Sequence, residues 1–327
     1  MSHSTFPSYQ LPLNETQPPL RSVRAPARRD PIPHPSLAEV ITREASTQTY
    51  YTIRYLVDRP LVAEAYRAYA YFRWVDDIVD QAEITQAERR AFLERQQAII
   101  TRCYQGEVPD GLCPEEHLVA ALIRGDEAEN SGLRTYINQM MAVMVFDAGR
   151  KGRLICQQEL TEYTHSLALA VTEALHHFIG HDAAAPHDET RYLAVTGAHI
   201  THMLRDAVED AAAGYYNMPQ EFLQSHSLTP TDVNHPAYRA WVQTQVQLAR
   251  NCFAAGRNYL ARLESWRCRL AGYAYITRFE VVLDLITKDA YRLRLAYPER
   301  KSKKAALKMC LAALTQTGLS LWPHTRY

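Results

Sequence analysis

From Ser36 onward the chain is a succession of long amphipathic segments broken by short polar turns, with no internal repeat and no low-complexity tract. Apolar residues that recur on the helical period give each segment one face to bury, and such segments satisfy one another as packed helices. Glycine is scarce at 12 residues, while Ala, Leu, Arg, Glu and Gln recur throughout. That supply favours helix over sheet, so the expected fold class is all-α with little or no strand. Helices are expected over 37–58, 60–82, 86–105, 115–125, 131–150, 156–180, 187–213, 235–265, 267–294 and 301–317, bounded by caps and breakers. Pro60 suits a helix start, and Gly106, Pro109, Gly111 and Pro114 mark one loop.

Residues 1–36 have a different character. Pro7, Pro12, Pro18, Pro19, Pro26, Pro31, Pro33 and Pro35 interrupt them, so they read as a disordered, Pro-rich basic arm without the apolar stretch of a signal peptide. Residues 37–327 then form one helical domain. Arg21, Arg24, Arg28 and Arg29 give the arm a means of peripheral contact with anionic lipid. Lys plus Arg equals Asp plus Glu at 36 each, so no global field draws the protein to nucleic acid. The cysteines at 103, 113, 156, 252, 268 and 310 form no Cys-x-x-Cys pair, which argues against a zinc site and against a secreted disulfide framework. No run reaches the roughly 18 apolar residues of a membrane span. A cytoplasmic setting is expected.

The chemistry-bearing residues sit at the ends of apolar helices. The segment Tyr66-Arg67-Ala68-Tyr69-Ala70-Tyr71-Phe72-Arg73-Trp74-Val75 runs into Asp76-Asp77-Ile78-Val79-Asp80. Asp76 and Asp80 are four apart, so their carboxylates leave one helix face about 5–6 Å apart at the β-carbons. Like charges so placed repel, and a divalent cation turns that cost into a binding site. The device recurs 130 residues later, where Asp206 and Asp210 share a face in His202-Met203-Leu204-Arg205-Asp206-Ala207-Val208-Glu209-Asp210. Magnesium prefers oxygen ligands and commonly bridges one or two carboxylates to substrate phosphates. Arg73 and Arg205 adjoin the two motifs and can fork onto phosphate oxygens. The expected metal ligands are Asp76, Asp77, Asp80, Asp206 and Asp210, with His202 as a further candidate. Asp76, Asp80, Asp206 and Asp210 are expected to carry catalysis.

At these residues the chain resembles the squalene and phytoene synthase family, the head-to-head branch of the isoprenoid synthases. Residues 69–80 resemble that family's first aspartate-rich motif and residues 204–210 its second. Weaker similarity continues through Glu159-Leu160-Thr161-Glu162-Tyr163, through Phe279-Glu280-Val281-Val282-Leu283-Asp284 with Tyr291 beyond it, and to Arg300-Lys301-Ser302-Lys303-Lys304. The resemblance implies a single helical bundle around a deep apolar cavity, with the aspartate motifs on opposite walls near its mouth. It also implies a magnesium-dependent condensation of two isoprenoid diphosphates, farnesyl or geranylgeranyl, through a cyclopropyl diphosphate. Substrate contacts are expected from Tyr69, Arg73, Tyr163 and Arg205. NADPH is an open cofactor only because squalene-type enzymes bind it without a Gly-x-Gly-x-x-Gly signature, which this chain lacks.

Several positions depart from the family pattern. His202 stands where an amide is usual, Gly214-Tyr215 where Gly-Arg is usual, and Asn217 where a tyrosine precedes the proline. Leu169 and Thr172 replace glycines on the cavity wall, and Phe279 replaces a tyrosine. A phosphate-binding arginine is therefore missing from its usual place, and the wall is bulkier. Two further readings use the same residues: a terpene cyclase acting on one prenyl diphosphate, and a catalytically silent partner of such a pathway.

Overall fold

The computed structural model describes residues 36–301, apart from 82, 127, 129, 130 and 182, together with Thr315. The described residues hold eleven α-helices and three short 3-10 turns, with no strand. Among the described residues, those from Ser36 onward form one contact unit. The arm expected over 1–36 lies outside the described residues except for Ser36. So does the helix expected over 301–317, except for Lys301 and Thr315.

The expected first helix is two, α1 (Leu37–Ala45) and α2 (Thr47–Leu56), because Ser46 leaves the helical conformation at φ −155°. Its hydroxyl accepts from the Thr49 amide at 3.2 Å, and this local bond begins a new helix instead of continuing the old one. Pro60 sits in a 3-10 turn, Arg59–Leu61, from which α3 (Val62–Val79) departs. The helices α4 (Gln86–Tyr104), α5 (Glu116–Arg124), α6 (Gly132–Arg150) and α7 (Gln157–Phe178) follow. Capping boxes built by Thr85 with Glu88 and by Cys156 with Glu159 start α4 and α7. Next come α8 (Leu193–Ala213), the short α9 (Gln220–Ser225) that the sequence did not announce, α10 (Pro236–Leu260) and α11 (Trp266–Lys288). The last helix stops six residues before its expected end at 294. Ala290 and Tyr291 adopt positive φ angles of 53° and 61°, which no helix continues through.

The helix α3 is buried on most of its circumference by Ala65, Tyr66, Ala68, Ala70, Tyr71, Phe72, Val75 and Val79. A polar network locks it to α4 and α5. Tyr71 Oη donates to Gln96 Oε1 at 3.1 Å, and Gln96 Nε2 donates to Glu116 Oε1 at 2.9 Å. Arg95 forks onto the same carboxylate with two bonds of 2.7 Å. Burial opposes the Glu116 charge, yet Arg95, the Cys113 amide and Gln96 together hold its carboxyl down at about 2. Arg89 then fixes the acidic end of α3, donating to the Val79 and Gln81 carbonyls at 2.7 and 2.6 Å. On the other side of the bundle α8 lies hard against α10. A β-carbon on Gly256 would stand 2.8 Å from that of Ala194, so only glycine permits this approach.

Candidate active site

Helix α6 packs on α3 and on α7, and α7 packs on α8. This order sets the two aspartate motifs, at the C-terminal ends of α3 and α8, around one cavity of about 260 Å³. Asp76, Asp80, Tyr163, His202, Asp206 and Asp210 all line it, with Val79, Met144 and Met203 as apolar neighbours. Four of the expected site residues stand outside that lining: Tyr69, Arg73, Asp77 and Arg205. Arg73 explains one of them, because its guanidinium pairs with Asp77 and with Asp76 and leaves Asp77 on the exposed side of the helix.

The two acidic pairs are electrically unlike. Burial and the neighbouring Asp80 charge push the Asp76 carboxyl up to about 6, against the pull of Arg73. Desolvation and the charge of Asp147 raise Asp80. Asp210 is also pushed up to about 6, by burial and by Asp206, although the Asn217 amide works the other way. Asp206 is the exception. Burial opposes its charge, but Arg205 grips it with two bonds and His202 Nε2 meets Oδ2 at 2.9 Å, so its carboxyl falls well below the usual range. His202 therefore approaches the cavity already paired with a carboxylate. Carboxylates raised by one another are short of positive charge, which is the condition that a cation relieves. Among the described residues no three acidic, histidine or cysteine side chains are gathered tightly enough to hold a metal by themselves. A cation here would need oxygen atoms from its ligand as well.

Sequence reasoning missed Asp147 and Arg150, both on α6 and both in the cavity lining. Asp147 Oδ2 accepts from Tyr163 Oη at 2.8 Å, and its Oδ1 accepts from Arg150 Nε at 2.7 Å. Arg150 also donates to Asn217 Oδ1 at 2.9 Å, and Asn217 Nδ2 donates to Asp210 Oδ2 at 2.7 Å. The guanidinium lies over the rings of Tyr163 and Tyr215 at 5.1 and 5.3 Å. A cationic group thus reaches the Tyr215 position, where arginine was expected, from a different helix. The turn that brings Asn217 there depends on Gly214 at φ +88°, whose carbonyl accepts from the Gly152 amide at 2.7 Å. A sequence signal for Asp147 existed: residues 135–146 carry no charge, and the acid follows at once. Two more arginines gather beside Arg205. Burial and the Arg205 charge hold both Arg278 and Arg300 below the ordinary arginine value.

Helices arranged around an acid-lined cavity define an isoprenoid-synthase type of bundle, and the comparisons give the family. The squalene/phytoene synthase family model matches residues 42–306, and the chain belongs to that family, whose members are prenyl transferases. No curated protein matches the chain in sequence. Among solved structures, squalene synthase HpnC from Alicyclobacillus acidocaldarius superposes with a TM-score of 0.63 at 18% identity, covering 79% of this chain and 94% of the other. A dehydrosqualene synthase solved with a ligand gives a TM-score of 0.64 at 17% identity, covering 86% and 94% respectively. At such identities these likenesses speak for the fold.

Proposed function

We propose that the protein condenses two isoprenoid diphosphates head to head, with magnesium, through a cyclopropyl diphosphate that then rearranges to a linear product. The observation that carries this reading is the joint lining of one cavity by Asp76 and Asp80 from α3, Asp206 and Asp210 from α8, and Asp147 from α6. The raised carboxyls of Asp76, Asp80 and Asp210 fit a divalent cation and make them the ligands of choice. When bound, magnesium would supply the positive charge that lets a diphosphate enter an acidic site and leave as a stabilised anion.

The chain's own residues do the rest. Arg205 and Arg300 beside Asp206, with Arg278 near Arg205, offer guanidinium groups to hold phosphate oxygens. Arg150 positions Asp147 and Asp210 through the bonds described above. Burial and Asp147 push the Tyr163 phenol far above its usual value, so it remains neutral. Its ring, stacked on Phe146 at 4.9 Å and lying under the Arg150 guanidinium, holds that cation at the edge of the cavity. Met144, Met203 and Val79 supply the apolar part of the cavity lining.

The test is direct. Purified protein is incubated with magnesium and farnesyl or geranylgeranyl diphosphate, and the extract is identified by mass. A product with twice the carbon count of its substrate is expected. A product with the same carbon count as the substrate would make the protein a cyclase, and an inert protein would refute both readings.

A further inference from the structure

Nine large apolar side chains stand exposed among the described residues, and five of them, Leu37, Val40, Tyr51, Tyr55 and Trp266, fall on α1, on α2 or at the first residue of α11. Helix α2 packs against both of the others, so these five belong to one part of the surface. Tyr51 and Tyr55 stack in planes 8° apart with ring centroids at 6.0 Å, yet they are 48% and 67% exposed. Tyr50 meets Tyr51 edge-on at 5.3 Å and carries Arg43 of α1 over its ring at 5.8 Å. At the other end of α2, Arg267 donates to the Leu56 and Val57 carbonyls at 3.4 Å. That contact brings Trp266, which is 52% exposed, to the end of α2. Single exposed apolar residues are ordinary, whereas rings gathered on touching elements mark a surface that meets a partner.

The charge around the rings selects the partner. From Thr47 to Val57 the chain has no acidic residue. Asp58 is paired with Arg267, and Glu39 accepts from the Ser36 amide at 2.8 Å. Between Ser36 and Pro60 this leaves exposed Arg43, Arg54 and Arg59 against exposed Glu44. The sequence just before α1 adds Arg21, Arg24, Arg28 and Arg29 against Glu15 and Asp30. Tyrosine and tryptophan join an apolar ring to a polar tip, a combination that settles at the headgroup level of a bilayer, and arginine adds attraction to anionic lipid. A protein partner would need a matching surface, both apolar and acidic; an anionic bilayer offers both across its whole extent. No helix among the described residues is long and apolar enough to cross a membrane, so such a contact lies in the interface plane.

We propose that the face formed by α1, α2 and the start of α11 docks on an anionic lipid bilayer. Tyr51, Tyr55 and Trp266 enter the headgroup layer, and Arg43, Arg54 and Arg59 meet lipid phosphates. The inference goes beyond the head-to-head reading and stands without it, because docking uses none of the residues that line the acidic cavity.

The experiment floats the full-length protein on a density gradient with vesicles of phosphatidylcholine, alone or with an equal share of phosphatidylglycerol. The wild type should rise with the anionic vesicles and stay behind with the neutral ones. Tyr55→Gln combined with Trp266→Gln should weaken binding about tenfold. Arg54→Gln should weaken it about fivefold, an effect that high salt removes. Leu248→Gln, at an exposed apolar position on α10, is the control and should bind as the wild type does. Circular dichroism of each variant checks that its helices are intact. A wild type that floats with neither vesicle overturns the proposal, and equal flotation with both overturns the assignment to anionic lipid. A paired Tyr55 and Trp266 variant that binds like the wild type also overturns it, because the basic arm would then suffice. So does a Leu248→Gln variant that loses as much binding as the pair. Wild-type self-association in light scattering that the pair abolishes, without flotation, would assign the face to a second copy of the chain instead.

Discussion

Asp76→Asn should make the metal-free protein more stable while abolishing its turnover. The Asp76 carboxyl titrates at about 6 against an ordinary 3.8. A difference of that size corresponds to about 3 kcal/mol set against the ionised folded state. The side chain is 39% exposed, and screening by water reduces the expected effect to about 1 kcal/mol. The pH dependence has a definite sign, because the folded carboxyl is raised above the unfolded one. Below 3.8 the group is protonated in both states and no penalty exists; the penalty grows between 3.8 and about 6 and is complete above that. The variant should therefore gain about 1 kcal/mol, or about 2 °C in Tm, near neutral pH. Much of that gain should be gone at about pH 4.5. Urea titrations followed by helical circular dichroism, without metal, measure it at both pH values. An equal gain at the two, or a loss at neutral pH, would refute the electrostatic reasoning. Full activity in the variant would remove Asp76 from the proposed metal ligands.

Magnesium and inorganic diphosphate together should raise the melting temperature by more than the sum of their separate shifts, since each supplies charge the other needs; additive shifts in a thermal-shift assay would count against bridging. Arg150→Ala leaves the half-buried Asp147 beside Tyr163 without its cation and Asn217 without its donor, and urea titration should show a loss of about 2 kcal/mol with turnover down at least tenfold. Tyr163→Phe keeps the ring face but removes one bond to a carboxylate, so stability should fall by about 2 kcal/mol and steady-state kinetics should show a lower kcat. Glu116→Ala breaks the α3–α4–α5 network away from the cavity. It should cost about 2 kcal/mol, chiefly because the buried Gln96 amide loses its acceptor, while active-site-titrated turnover per folded molecule stays near wild type.

The helices were legible because their period and caps are local properties. The Thr85–Glu88 box and the breakers around Gly106 act within a few residues, so the sequence places α4 closely. The split at Ser46 was harder to foresee, since a serine inside an apolar-periodic run is compatible with either continuation or a new cap. In the site, Asp76, Asp80, Asp206 and Asp210 announced themselves by repeating one spacing. Asp147 is single, and its partners Tyr163 and Arg150 lie 16 residues and 3 residues away along the chain. Nothing but packing of α6 on α7 brings all three to the cavity. Arg73 and Arg205 were expected to face a ligand, yet their forks close first on the adjacent carboxylates, the nearest opposite charges available. His199 carries no signal in the sequence, and only three-dimensional placement reveals that neither nitrogen is matched.

The amide of Asn217 takes a bond from Arg150 on its oxygen and gives one to Asp210 from its nitrogen. Tyr163 gives to Asp147 at the far end of the same line. Such a connector has a fixed orientation, because turning the amide over would set N–H against guanidinium and oxygen against carboxylate. A carboxylate in its place could satisfy Arg150 but would confront Asp210 with a second negative charge. An apolar residue would satisfy neither. The bond also reads the state of Asp210: a proton on the carboxyl oxygen facing Asn217 would meet the amide N–H donor to donor and break the line there. The walls carried by α6 and α8 therefore register the same event, and a ligand that keeps Asp210 ionised also keeps Arg150 and Tyr163 in register with it.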